Sequence, residues 1–201
     1  MSQSELMQLP ADLPVPEDDR AAAHLPGTEL PALALTSTSG RDVRLDQLRG
    51  LTLIFAYPRT GRPDQPVPAG WDAIPGARGC TPEACGFRDH QADLRHLGAT
   101  VFGLSTQDTD YQREMAGRLK LPYEVLSDEQ LELTHELRLP SFEFDGATLL
   151  KRHTLVLRDA RIEHVFYPVF PPDRHAEEVV GWLRQRPLNP PPPRRVGRGR
   201  R

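Results

Sequence analysis

Cysteine is scarce: the 201 residues hold two, Cys80 and Cys85. Two thiols cannot build the bridged framework of a small secreted scaffold, and in a reducing compartment they argue for chemistry over scaffolding. They also fall short of a zinc site, because no second C-x2-C and no H-x3-H pair accompanies them, and no metal is expected. Apolar runs long enough to span a membrane are missing. The first thirty residues lack the basic start and apolar stretch of a secretory signal, so the expected compartment is the cytoplasm. No glycine-rich phosphate loop follows a strand, and neither flavin nor nicotinamide nor any other cofactor is expected. With 38% hydrophobic residues and a formal charge of −3, the chain suffices for one well-buried domain with extensions.

What the chain does carry is a succession of strand and helix signals. Residues 1–24 are acidic, interrupted by Pro10, Pro14 and Pro16 and free of period, and read as an extended lead-in lying across the domain surface. Strand-like segments at 30–36 and 43–48 flank Ser39-Gly40 and predict a hairpin. Segment 51–57 is a nearly continuous apolar run, the mark of a strand buried on both faces and central in a helix-covered sheet. A helix is predicted over 82–97, then a second buried strand over 99–105. Asp108 opens a helix carrying Tyr111, Met115 and Leu119, and 123–126 is a short strand. Ser127 with Gln130 forms a capping box for a helix to about Leu137. Segments 151–157 and 161–167 predict a hairpin turning at Asp159-Ala160, and Asp173 predicts the cap of a closing helix with Ala176, Val179, Val180 and Leu183 on one face. Parallel β-α-β followed by β-β-α is the thioredoxin order. The expected class is therefore α/β with a thioredoxin-like fold, a central mixed sheet flanked by helices. The domain covers 27–186, preceded by the lead-in 1–26 and followed by a disordered proline- and arginine-rich tail, 187–201. Five arginines in the last eight residues, without aromatic company, read as a solvated tail and not a nucleic-acid contact.

The chemistry concentrates at Gly79-Cys80-Thr81-Pro82-Glu83-Ala84-Cys85-Gly86-Phe87-Arg88-Asp89. Thr81 suits a helix cap, Pro82 the first helical position and Glu83 the first turn, which puts Cys80 at the positive end of a helix. Free amides there, with Arg78 nearby, predict a depressed thiol pKa and a nucleophilic thiolate. On an intact helix two residues five apart lie roughly 8–9 Å apart, beyond the ~7 Å that a disulfide tolerates, so Cys80 and Cys85 can bond only after the first turn unravels. A pair that meets only after local unfolding suits a redox cycle; two buried cysteines that never meet is the plainer alternative. Between Arg59 and Gly79 runs an irregular stretch with four prolines and four glycines, too long for an ordinary βα loop. It either folds over the cysteine, with Trp71 shaping or gating the pocket, or is a surface insertion that Trp71 anchors.

That segment resembles the active-site stretch of peroxiredoxins, most of all the peroxiredoxin Q (bacterioferritin comigratory protein) branch, and 27–186 follows the same pattern, including Leu126-Ser127-Asp128 and 161–166. The resemblance implies a thiol peroxidase acting on hydrogen peroxide or organic hydroperoxides, as monomer or homodimer, with a thioredoxin-like protein as reductant and neither nucleic acid nor membrane as partner. It makes Cys80 the peroxidatic cysteine, Cys85 the resolving one, and Arg152 the arginine that holds the thiolate and donates to peroxide. Pro58 is expected to shield the pocket. The family's threonine three residues before the cysteine is absent, since Ala77 stands there, and Thr60 or Thr81 is expected to replace its hydroxyl. A thioredoxin-type thiol-disulfide oxidoreductase is the alternative activity, though C-x2-C is missing, and a redox-inert thioredoxin-fold binding domain is a third reading.

Overall fold

A computed structural model describes residues 7–186. Its main sheet has five strands: β3 (Leu51–Ala56), β4 (Ala99–Ser105), β5 (Glu124–Ser127), β8 (His153–Arg158) and β9 (Arg161–Phe166), in the order β5-β4-β3-β8-β9. β3 pairs parallel to β4 and antiparallel to β8, so the most apolar run of the sequence is the central strand, as expected. The sheet is mixed because β4–β5 is parallel and β8–β9 antiparallel. A hairpin of β1 (Ala34–Thr36) and β2 (Asp42–Arg44) precedes it. Asp159 and Ala160 turn β8 into β9 with φ of 49° and 62°, which suits a tight hairpin turn.

Alternation along β3 splits the core into two layers. Leu53, Phe55 and Tyr57 face Ala84 and Phe87 of α1 (Cys80–Asp89) and Val179 and Leu183 of α5 (His175–Arg184). Ile54 and Ala56 face Leu104, Leu126 and Leu133, the last from α4 (Glu132–Leu137). The lead-in contributes Ala22 and Leu25 to this second layer, and residues 27–30 add backbone hydrogen bonds along β9. Asp19 ties it down by accepting from Lys151 Nζ and Tyr167 Oη, each at 2.5 Å.

Three expectations need correction. The helix predicted over 82–97 is two helices, α1 and α2 (Gln91–His96), broken at His90, whose Nδ1 lies 3.0 Å from the carbonyl of Gly86. Asp128 and not Ser127 caps α4. Its carboxylate accepts from the backbone of Leu133 at 3.0 Å and Thr134 at 2.8 Å, whereas Ser127 belongs to β5 and donates to the Gln107 carbonyl. Asp173 lies in a short 3-10 turn before α5 and makes no cap. Asp108 caps α3 (Thr109–Leu119) as expected, accepting from the Tyr111 amide at 2.7 Å. A small hairpin over β6 (Ser141–Phe144) and β7 (Ala147–Leu150) had no counterpart among the expectations. Among the described residues no helix is long and apolar enough to cross a membrane. The tail 187–201 lies outside the described residues.

Candidate active site

Cys80 is the first residue of α1, two positions earlier than the capping signals imply. Gly79 precedes it in the left-handed region at φ 102°, without a side-chain cap, and Thr81 is inside the first turn. The first turn leaves its amides free of helical partners, which keeps the site rich in donors. Cys80 is buried, at 3% exposure. Its Sγ lies 3.2 Å from Nη2 of Arg152 and 3.5 Å from the Ala77 carbonyl, to which the thiol donates. The backbone N–H of Arg59 also donates to the sulfur.

Arg152 stands just before β8 with its side chain almost wholly enclosed. Nη1 forms an ion pair with the buried carboxylate of Glu83, while Nη2 also donates to the carbonyls of Ala77, at 3.3 Å, and Arg78, at 3.2 Å. One planar fork thus fixes both the cysteine and the backbone that leads into it. Burial pushes the Cys80 thiol above its ordinary range; the charge and hydrogen bond of Arg152 and the Arg59 amide pull it down, while Glu83 adds to the rise. The depressed pKa expected from the helix start and Arg78 is therefore not met in this closed arrangement, because desolvation outweighs the donors and Arg78 is paired with Asp72 at 3.3 Å. Burial likewise raises Glu83, with Arg152 opposing it.

Above the sulfur lies a cavity of about 60 Å³, lined among others by Arg59, Thr60, Val67, Trp71, Thr81 and Tyr111. That is room for a few water-sized atoms, the size of a peroxide group. Of the residues expected here, the structure brings Thr60 and Thr81 to the cavity with Cys80; Arg152 reaches the sulfur without lining the cavity, and Pro58 is buried outside the lining, its carbonyl accepting from Ser105 Oγ at 3.4 Å. Thr60 is held from three sides. Its amide, at 2.8 Å, and its hydroxyl, at 3.2 Å, donate to Gln107 Oε1, and its carbonyl accepts from Tyr111 Oη at 2.9 Å. Sequence reasoning missed Gln107, Tyr111 and the Arg59 amide, since none belongs to a motif. The stretch 59–79 does fold over the cysteine. Trp71 lines the cavity and is anchored at the same time, its ring 5.0 Å from that of Phe144 and 6.4 Å from that of Phe142.

Cys85 sits on the same unbroken helix, also buried at 3% exposure, and both thiols are free. Burial raises its pKa and Arg88 lowers it. Among the described residues no group of three His, Cys, Asp or Glu side chains could hold a metal ion.

The Redoxin family model matches residues 25–180. The chain is 30% identical to the chloroplastic peroxiredoxin Q of Sedum lineare over 78% of its own length and 76% of that protein. Against the corresponding protein of Gentiana triflora it is 28% identical, covering 89% of this chain and 77% of the other. Among solved structures it is similar to peroxidoxin BcpB of Mycobacterium tuberculosis, with a TM-score of 0.62 and 26% identity, over 79% of this chain and 96% of that one. With a cysteine at a helix start, an arginine on its sulfur and a thioredoxin-like sheet beneath, the chain belongs to the Redoxin family and, within it, to the peroxiredoxin Q branch of thiol peroxidases.

Proposed function

We propose that Cys80 is the peroxidatic cysteine, that Cys85 resolves it, and that a thioredoxin-type dithiol protein closes the cycle. The thiolate of Cys80 attacks the outer oxygen of a hydroperoxide: an S–O bond forms, the O–O bond breaks, and the departing oxygen leaves as water or an alcohol after taking a proton. Negative charge builds on that oxygen at the cavity, where Arg152 and the amides of the helix start stabilise it. Thr60 and Thr81 offer hydroxyls to the bound peroxide, in place of the threonine missing at position 77, and Pro58 closes the wall behind. Cys85 then displaces hydroxide from the sulfenic acid, forming the disulfide and water, and the external dithiol reopens it by exchange.

The observation that carries this reading is the 3.2 Å contact of Arg152 Nη2 with Cys80 Sγ, from a guanidinium buried behind the cysteine that lines the cavity. Burial favours the neutral thiol, so the reactive thiolate is the minor form that Arg152 draws out, and the oxidation rate climbs as pH rises above neutral. Mass spectrometry after stoichiometric peroxide tests the assignment. Wild type is expected to lose two hydrogens, Cys85→Ser to hold a trappable sulfenic acid at Cys80, and Cys80→Ser not to react. Slow, equal oxidation of both thiols would falsify it and favour the redox-inert alternative.

A further inference from the structure

We infer that Tyr123 is a positioning residue of the resolving step: its hydroxyl pins the Ala84 carbonyl and so sets how readily α1 unwinds to bring Cys85 onto Cys80. The inference rests on the roles proposed above for the two cysteines. Their spacing on one helix makes unwinding obligatory, so whatever holds the segment between them controls the step.

α1 is weak by its own sequence. Its ten residues fall short of the ~12–15 at which an isolated helix becomes stable, Gly86 sits in its interior, Pro82 brings no amide, and no side chain caps its start. Tertiary contacts must hold it, and two of them are ties to the end of α3 and the connection that follows it. Tyr123 Oη donates to the Ala84 carbonyl at 2.6 Å, and Arg88 Nη1 donates to the Leu119 carbonyl at 2.9 Å. Ala84 is the residue just before Cys85, inside the stretch that must open. The Tyr123 ring is itself fixed, edge-on to Phe55 with centroids 5.6 Å apart, and Phe55 stacks on Phe87 at 4.3 Å. The hydroxyl therefore reaches into the helix from a ring packed against the central strand, and must let go before Cys85 can move.

The step governed is the attack of Cys85 sulfur on the Cys80 sulfenic acid. An S–S bond forms, the S–O bond breaks, and water leaves with the Cys85 thiol proton. Tyr123→Phe keeps the ring and its packing and removes only the pin. Losing one neutral hydrogen bond corresponds to about a fivefold shift of the opening equilibrium. Reduced wild type and Tyr123→Phe are mixed rapidly with hydrogen peroxide, quenched and read by mass spectrometry, and hydrogen exchange is followed on the reduced proteins. The expected result is an unchanged rate of Cys80 oxidation, disulfide formation about fivefold faster, and less sulfinic acid at excess peroxide. Amide protection in 80–89 falls by a similar factor while that of β3 stays. A disulfide rate unchanged or slower, or protection lost equally from β3, overturns the inference. If wild type forms no disulfide at all, the roles of the cysteines fail instead, and exchange in 80–89 still judges the pin, with unchanged protection counting against it.

Discussion

At Arg152 one guanidinium serves two acids. Nη1 is committed to Glu83 and Nη2 reaches the Cys80 sulfur, in a place where neither the arginine nor the carboxylate is exposed by more than 1%. Arg152→Gln is expected to slow Cys80 oxidation by about 10²–10³-fold, the usual cost of a lost donor to developing negative charge. Because Arg152 lowers the Cys80 pKa against burial, its removal raises that pKa further and moves the pH–rate profile to higher pH. The variant also strands a buried carboxylate, a loss of about 3–5 kcal/mol. Adding Glu83→Gln should restore most of the stability and none of the rate, as followed by urea unfolding and stopped-flow oxidation. An unchanged rate in the single variant at neutral pH would end the assignment. Arg152 was legible in the sequence only through its motif, since a lone arginine at a strand end is ordinarily a surface residue. Gln107 was not legible, because its part depends on the fold bringing it to Thr60, 47 residues away.

The start of α1 is an element built around the absence of a side chain. Gly79 has φ 102°, and a Cβ there would stand 2.3 Å from Pro172 Cγ and 3.0 Å from Leu9 Cδ2. Gly79→Ala combines about 1–2 kcal/mol of left-handed strain with a clash against Pro172. It should lower the urea midpoint and, by shifting the first-turn amides, slow peroxide turnover; a variant equal to wild type in both would show that the turn relaxes freely. The strands of the main sheet were legible because their apolar runs are long. Locally encoded detail was less so. The break at His90 falls in a stretch whose polar pattern continues across it, and the cap on α4 moved because Asp128 reaches two amides that Ser127, held in β5, does not. The β6–β7 hairpin did carry a signal, Asp145-Gly146, and both residues have positive φ, 52° and 74°, as such a turn requires. That hairpin is what Trp71 packs on, so the packing of the 59–79 stretch could not be read without it.

For the molecule as a whole, the layered β-α order fixes which groups are shut in, and one of these, His153, dominates its response to acid. His153 on β8 is wholly buried, its Nδ1 2.8 Å from the Lys151 carbonyl, and burial brings its pKa down from 6.5 to about 4. The unfolded chain binds a proton below pH 6.5 that the folded chain refuses, so stability is intact above 6.5 and is lost as pH falls toward 4. The loss from this group amounts to about 3 kcal/mol. His164, half-buried and also lowered, adds a smaller share in the same direction. Asp19 acts next. Its hydrogen bonds to Lys151 and Tyr167 hold its pKa at about 2, so its contribution persists down to the usual carboxylate range and fades only below about 3.8. Because Asp19 is exposed and ties the lead-in to the sheet, that second loss is a small one, the release of the strap and not of the core. Urea unfolding from pH 7 to 3 should therefore show a steep fall between 6.5 and 4. In His153→Leu the fall is shallower, and in Asp19→Asn it is preserved. A wild-type stability that stays level across that window would mean the imidazole finds a proton acceptor or water on opening, and the burial argument for this layer of the core would have to be abandoned.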